Sequence, residues 1–262
     1  MATQLLFYNT AVPVSQEKHK DLSVKTGNSY AFSKEVNSVP LTAVEFSLAA
    51  AEYPIVFAGN EESVMPAVIL GARENENLFV GEDGLWKGKY IPAFVRRYPF
   101  VFSSDKSGKQ FILNIDEGFE GVNGEGRGER LFDSDGTQTQ YLKNVLNFLQ
   151  EYQAHFQRTQ AYCKRLKELD LLQPMQAQFN LAEGEKRSLS GFQVVNREKL
   201  KEIGQEDLAK MMKTDELECT FMHLYSLRHF NDMVGLMAAS KPAAEAESLL
   251  TDEAAGPSAT VQ

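Results

Sequence analysis

The stretch that decides the fold is residues 136–170, GTQTQYLKNVLNFLQEYQAHFQRTQAYCKRLKELD. Its least polar side chains recur in steps of three and four, at Leu142, Val145, Leu149, Tyr152, Phe156, Thr159, Cys163 and Leu166. This period predicts one amphipathic α-helix of roughly 30 residues, about 45 Å long. The spacing also fits a coiled-coil seam, so helix 138–170 is a candidate homodimer interface. Two aromatic residues, a threonine and a cysteine in the seam favour a long helix packed on its own sheet.

Ahead of this helix the apolar residues form short β-branched or aromatic runs that are separated by turns. The runs lie at 55–57, 67–70, 78–80, 100–102 and 111–115. They predict an antiparallel sheet within residues 54–115. The switch to a 3.6-residue period after residue 136 predicts an α+β fold, in which an antiparallel, β-rich N-terminal half precedes a helical C-terminal half.

A helix start is recognisable before the first of these runs. Thr42 and Glu45 stand three residues apart, as in a capping box, and predict a helix that runs from there to about Ala51. We expect it to stop before Tyr53-Pro54, because the residue before a proline avoids the α region.

The C-terminal half is predicted to contain one hairpin and two further helices. Alternating residues at 179–181 and 192–194 predict the hairpin, once Pro174 has ended the preceding region. Asn196 is placed to cap a helix through about 213, and the last helix is predicted near 215–237.

The predicted organisation is a single globular domain over residues 1–237, β-rich over 1–116 and mostly helical over 137–237. Residues 238–262 are of low complexity, rich in Ala, Glu, Ser and Pro, and are predicted to be a disordered tail.

Charge and hydropathy exclude several classes of partner. The formal net charge is -9, which argues against a nucleic-acid-binding protein and against docking on anionic lipid. The longest apolar stretches, such as 66–72, are too short to span a membrane. Residues 1–8 lack the pattern of a signal peptide, so we expect a cytoplasmic protein, with the cell surface, reached by a signal-free route, as the alternative.

The motifs of common cofactor and metal sites are not found. His223 and His229 are six residues apart, a spacing that does not put them on one helical face, and they are interpreted as packing residues. The glycines at 124, 126 and 128 lack the spacing of a phosphate-binding loop. The sequence therefore predicts no metal and no cofactor, and it leaves open whether the protein is an enzyme.

The segment YIPAFVRRYPF at residues 90–100 is the strongest candidate for a site. Two prolines and several aromatic residues frame two adjacent arginines in an acidic protein. Tyr90, Arg96, Arg97 and Tyr98 are the candidate ligand-binding residues, since arginine binds carboxylates in bidentate fashion and stacks on rings. Neighbouring side chains on a short helix point about 100° apart, so one arginine is expected to face inward, to a carboxylate or a ligand, and the other outward. The alternative is a structural ion pair that fixes the segment to the sheet.

These pieces together resemble the bacterial SapC family over most of residues 5–237. The resemblance is carried by YPI at 53–55, IPAFVRRYPF at 91–100, LFDSDG at 131–136, LLQP at 171–174 and GFQVV at 191–195. The family name implies a link to a surface layer, and an association with flavin-dependent halogenase genes suits an accessory protein.

The resemblance brings no catalytic residue with it. We therefore expect a non-catalytic binding or accessory protein with a protein partner. The alternative is an oxygenase-like enzyme with an anion or carboxylate pocket around Arg96 and Arg97.

Overall fold

The structure, a computed structural model, describes residues 6–60, 63–104, 110–181 and 186–239. Its strands are β1 (Ala11–Pro13), β2 (Ser23–Val24), β3 (Ser38–Pro40), β4 (Ile55–Gly59), β5 (Val64–Ile69), β6 (Phe100–Ser104), β7 (Phe111–Asp116), β8 (Val122–Asn123), β9 (Glu129–Arg130), β10 (Leu172–Asn180) and β11 (Lys186–Val195). Its α-helices are α1 (Gln16–His19), α2 (Phe46–Ala49), α3 (Ala93–Arg96), α4 (Gln140–Glu168), α5 (Arg197–Glu202), α6 (Gln205–Lys213), α7 (Glu216–Ser226) and α8 (His229–Ala239), with 3₁₀ turns at Ala31–Ser33 and Ala43–Glu45.

The fold class is confirmed as α+β, because antiparallel sheets dominate the N-terminal half and helices the C-terminal half. The principal sheet has the strand order β10-β11-β4-β5-β3, a second sheet has β1-β7-β6, and a third has β8-β2-β9. The single sheet predicted within 54–115 is thus wrong in detail: β4 and β5 belong to the principal sheet, and β6 and β7 to the second. Strand partners far apart in sequence decide this division, and periodicity does not reveal them.

Helix α4 is the long amphipathic helix that the sequence predicts, and it packs against its own chain. Its N-terminal half contributes Leu142 and Leu149 to a small core with Phe100 and Ile115. Its C-terminal half contributes side chains from Tyr152 onward to the larger core of the principal sheet. The predicted seam is therefore buried inside the molecule. A homodimer through helix 138–170 stays a prediction and would need another face of the helix.

Helix α4 is capped by Thr139, whose hydroxyl accepts a hydrogen bond from the backbone N–H of Leu142 at 3.2 Å. Just before the helix, the carboxylate of Asp135 accepts from the backbone N–H of Thr137 at 2.9 Å and forms a local turn.

The run at 78–80 is not a strand. The Asn77 side chain accepts from the backbone N–H of Phe79 at 3.0 Å and donates to the carbonyl of Ser33 at 3.0 Å. These bonds hold residues 77–79 in a turn. Asparagine favours such local side-chain to backbone bonds, which compete with the hydrogen bonds of a strand.

The predicted helices are shorter than expected. The helix expected to span 42–51 consists of the 3₁₀ turn and α2, and it ends before Tyr53-Pro54 as predicted. Asn196 caps α5 through the backbone N–H of Lys199 at 3.1 Å, but Ile203 is extended and Gly204 starts the separate helix α6. The last predicted helix is likewise divided into α7 and α8.

The predicted hairpin is confirmed as β10 and β11, which also extend the principal sheet through β11 and β4. Pro174 lies inside β10 and does not end an element. β10 is an edge strand, where the missing N–H of a proline is tolerated. The predicted tail lies outside the described residues from residue 240 onward.

Candidate functional site

Residues 90–100, here called the strap, connect the two cores. Phe94 and Val95 on α3 are buried in the larger core. Phe100, the first residue of β6, is buried in the smaller one. The backbone turns into α3 after Pro92, whose fixed φ suits the start of a helix.

Glu45 fixes the first half of the strap. Its carboxylate is buried and accepts from the hydroxyl of Tyr90 and the backbone N–H of Ala93, both at 2.7 Å. It also accepts from the backbone N–H of Thr42 at 2.9 Å and from the Thr42 hydroxyl at 2.8 Å. Glu45, the carboxylate of the predicted capping pair, therefore also bonds to the strap and joins it to the start of the helix.

The backbone of Tyr90 is fixed as well. Its carbonyl accepts from the hydroxyl of Tyr53 and from the indole N–H of Trp86, the latter at 3.1 Å. Glu52 accepts from the backbone N–H of Lys89 at 2.8 Å. The YPI motif at 53–55 thus supplies a hydroxyl that holds the strap.

Asp116 fixes the other end. It is fully buried and accepts from the backbone N–H groups of Asn9, Thr10 and Gly118 at 2.8, 2.9 and 3.0 Å. The hydroxyl of Tyr98 donates to the same carboxylate at 3.3 Å. Burial, together with the negative charge of Asp116, raises the pKa of Tyr98, so its hydroxyl stays a donor at neutral pH.

Arg97 faces inward and is surrounded by aromatic rings. Its guanidinium carbon lies 3.9 Å from the ring centre of Phe94, 5.2 Å from Tyr152 and 5.7 Å from Tyr8. Burial raises the pKa of Tyr8 to about 12, although the adjacent Arg97 charge and hydrogen bond act in the opposite direction. The Tyr8 hydroxyl in turn donates to the carbonyl of Phe100 at 2.7 Å.

Arg96 is exposed and rests on two other rings. Its guanidinium carbon lies 5.8 Å from the ring centre of Tyr90 and 5.4 Å from that of Phe148 on α4. Its Nε donates to the carbonyl of Ile91 at 2.9 Å. These contacts hold the charged group in one orientation, since stacking and a backbone bond both restrict the side chain.

Arg96 lies at the surface, and Arg97 is half-buried among aromatic rings. The carboxylate or ligand that the sequence predicts for the inward arginine stays a prediction. The four candidate residues divide into two groups: Arg96 lies on Tyr90, while Arg97 and Tyr98 both contact the ring of Tyr8. The ligand-binding role assigned to these four residues stays a prediction.

A second concave feature was not suggested by the sequence. A cleft of about 620 Å³ lies between α4, α7 and the segment 43–47, and Arg158, Arg165 and Lys213 are among its lining residues. Arg165 Nε lies 2.7 Å from an oxygen of the buried Glu216, and Arg158 lies 2.8 Å from Asp215. Burial raises the pKa of Glu216, and the charge of Arg165 opposes the shift.

Two further findings concern the described residues as a whole. No group of three or more His, Cys, Asp or Glu side chains among them is placed to hold a metal ion. None of their helices has the length and apolar character needed to cross a membrane.

The geometry defines an α+β protein whose two cores are joined by an arginine-rich strap anchored on two buried carboxylates. The sequence profile of the SapC family matches residues 14–233, which include the whole strap, and the chain therefore belongs to the SapC family. No curated protein and no solved structure matches the chain.

Sequence reasoning missed most of the strap's surroundings. Asp116, Tyr8 and Phe148 are far from the strap along the chain and carry no local signal of their roles. Glu45 was recognisable only as a capping residue. Its hydrogen bonds with the Tyr90 hydroxyl and the Ala93 backbone N–H depend on the tertiary position of the strap.

Proposed function

We propose that this SapC-family chain is a non-catalytic binding protein that recognises a carboxylate on a protein partner through Arg96. The observation that carries the proposal is the fixed, exposed guanidinium of Arg96, stacked on Tyr90 and Phe148. Arginine surrounded by aromatic rings is the composition that dominates binding energy at protein interfaces.

The strap supports this role because it is rigid before any partner binds. Glu45 accepts hydrogen bonds from the Tyr90 hydroxyl and the Ala93 backbone N–H, and Asp116 accepts one from the Tyr98 hydroxyl, so the strap is anchored on both sides of Arg96. A preorganised group loses little side-chain entropy on binding, which increases affinity. In this proposal Arg97 and Tyr98 position the strap, and Arg96 and Tyr90 form the recognition surface.

The family membership supports an accessory role, with a surface layer or a flavin-dependent halogenase as the setting. We propose the cytoplasm as the location and the cell surface as the alternative. Fractionating cells that produce the tagged chain separates the two.

The test follows the arginine Nε–H NMR signals of ¹⁵N-labelled protein while sodium acetate is added at constant ionic strength against sodium chloride. We expect the Arg96 signal, assigned from an Arg96→Lys variant, to shift and saturate with acetate. A bidentate carboxylate contact would produce such a shift.

Arg130, an exposed arginine on β9, is the matched control, and its signal should follow only the general salt effect. The proposal fails if Arg96 responds to acetate no more than Arg130 does, or if the Arg97 signal is the one that saturates.

A further inference from the structure

We propose that the open edge of β10 pairs with the same edge of a second copy of this chain, so that two principal sheets join in a homodimer. The proposal does not depend on the function proposed for the strap. It also differs from pairing through helix 138–170.

Strand β10 is the outermost strand of the principal sheet. It pairs with β11 on one side, and its residue Phe179 packs against Phe230 of α8 on one face. Natural edge strands are usually short or carry charged residues, which prevent pairing with another chain. β10 has nine residues and none of them is ionisable, in a chain of which 24% is charged. Beyond Pro174 the edge therefore lacks the usual protection.

Pro174 also indicates which backbone groups face outward. A proline in an edge strand has its nitrogen on the open side, because it has no N–H to give to a neighbouring strand. The register irregularity near Gly191 places the extra residue on β11, so β10 keeps its alternation. The backbone groups of Gln176, Gln178 and Asn180 then also point to the open side, since successive residues of a strand alternate.

The exposed side chains along this edge are amides. Gln176, Gln178 and Asn180 are exposed and alternate with the buried Ala177 and Phe179, so the three amides share one face. Within the described part of the chain no hydrogen bond occupies these three side chains. An amide carries both donors and an acceptor, so it can bond to the same amide of another copy.

An identical strand is therefore a matching occupant. A two-fold axis at Gln178 would place this residue opposite its own copy, and Gln176 opposite Asn180 of the second copy. Two chains with a net charge of -9 repel one another, so a neutral edge is where they can approach. The described charges of the hairpin, Lys186 and Arg187, lie on β11 rather than on the open edge.

The pairing is short, so the dimer is expected to be weak. Residues 176–180 form the edge beyond the proline. An interface of this length buries less than about 1,200 Å². We therefore expect a dissociation constant of about 10–100 µM.

Sedimentation velocity of the full chain measures the association. The chain should be mainly monomeric at about 1 µM and mainly dimeric at about 300 µM. Amide hydrogen exchange locates the contact without any substitution. Peptides that contain residues 172–180 should exchange more slowly at the higher concentration, because the outward N–H groups become hydrogen-bonded.

A charge at the axis should separate the copies. Gln178→Lys should weaken the association at least about tenfold, because the two lysines would stand directly opposite each other on strands about 5 Å apart. Thermal melts check that the variant is folded.

Ser188→Lys is the matched control. Ser188 is the cross-strand neighbour of Gln178 on β11 and is likewise exposed. Its two copies would be three strand spacings apart, about 14 Å, which exceeds the Debye length of about 8 Å at physiological salt. This variant should change the dissociation constant by less than about twofold.

Four results would overturn the proposal. The first is a monomer at about 300 µM, and the second is a dimer in which residues 172–180 exchange as fast as in the monomer. The third is a dimer that Gln178→Lys leaves intact, since another surface, such as helix 138–170, would then be the interface. The fourth is equal weakening by Gln178→Lys and Ser188→Lys, since a general effect of charge would then explain both.

Discussion

Two buried carboxylates, Glu45 and Asp116, determine where the strap lies. Each carboxylate accepts four hydrogen bonds. A buried charge is tolerated when every lone pair has a donor, and it becomes destabilising when one donor is lost. The arrangement therefore favours one position of the strap over its alternatives.

The first prediction concerns Glu45→Gln. Glutamine keeps the size of the side chain, but its NH₂ group must face two donors, either those of Thr42 or those of Tyr90 and Ala93. We expect the free energy of unfolding in urea to fall by about 2–3 kcal/mol.

Glu151→Gln, an exposed substitution on α4, is the control and should change the same quantity by less than about 0.5 kcal/mol. Equal effects of the two substitutions would show that Glu45 does not hold the strap.

At the scale of elements, α7 is joined to β4 by two side chains. His223 Nδ1 donates to the carbonyl of Ile55 at 2.8 Å, and His223 Nε2 accepts from the backbone N–H of Val195 at 3.0 Å. Ser226 accepts from the backbone N–H of Ile55 at 2.9 Å. One ring nitrogen of His223 must therefore be unprotonated, and this fixes both its tautomer and its neutral state.

The second prediction is a pH dependence that comes from His223. Burial lowers its pKa to about 4, from 6.5 in the unfolded chain. Below pH 6.5 His223 is protonated in the unfolded chain, whereas in the folded chain it becomes protonated only near pH 4. The free energy of unfolding therefore falls by up to about 3 kcal/mol as the pH drops across this range. Above pH 6.5 His223 contributes no pH dependence.

The measurement compares the wild type with His223→Gln in urea at pH 7, 6, 5 and 4.5. The stability advantage of the wild type should shrink as the pH falls. His155→Gln, at a half-buried position on α4, is the control for removing a histidine away from β4. An advantage of His223 that is constant with pH would contradict the account.

The elements that could be predicted are those whose pattern is local. Helix α4 repeats its apolar positions over 29 residues, and Asn196 signals the start of α5 in one residue. The break at Gly204 and the first residues of β10, around Pro174, were missed for a different reason. Both features depend on which elements pack against these residues. Pro174 would be read as the end of an element unless β10 is known to be an edge strand, where proline is tolerated.

The same limit applies to the site. The orientation of the two arginines followed from the 100° step of a helix, so it was predictable from two adjacent residues. The rings of Tyr8, Tyr152 and Phe148 come from distant parts of the chain. Only the folded structure shows that Arg97 is half-buried among these rings and that Arg96 is exposed to solvent.

At the scale of the whole molecule, helix α4 and the strap both link the larger core to the smaller one. Helix α4 contributes one half to each core, and the strap passes from Phe94 in the larger core to Phe100 in the smaller one. Arg97 lies where these links meet, because it contacts Tyr152 on α4, Phe94 within the strap and Tyr8 beside it. Truncating the Arg97 side chain should therefore lower the stability of the whole fold, whereas truncating Arg96 should change it little.

The most direct test of this account is the free energy of unfolding in urea at pH 7 for Arg97→Ala and Arg96→Ala. We predict that Arg97→Ala lowers it by about 2–4 kcal/mol, since three ring contacts and a buried hydrogen bond are lost. Arg96→Ala should lower it by less than about 1 kcal/mol, because its two ring contacts lie at the surface. Equal losses for the two variants, or a larger loss for Arg96→Ala, would contradict the division of the strap into an inner structural arginine and an outer recognition arginine.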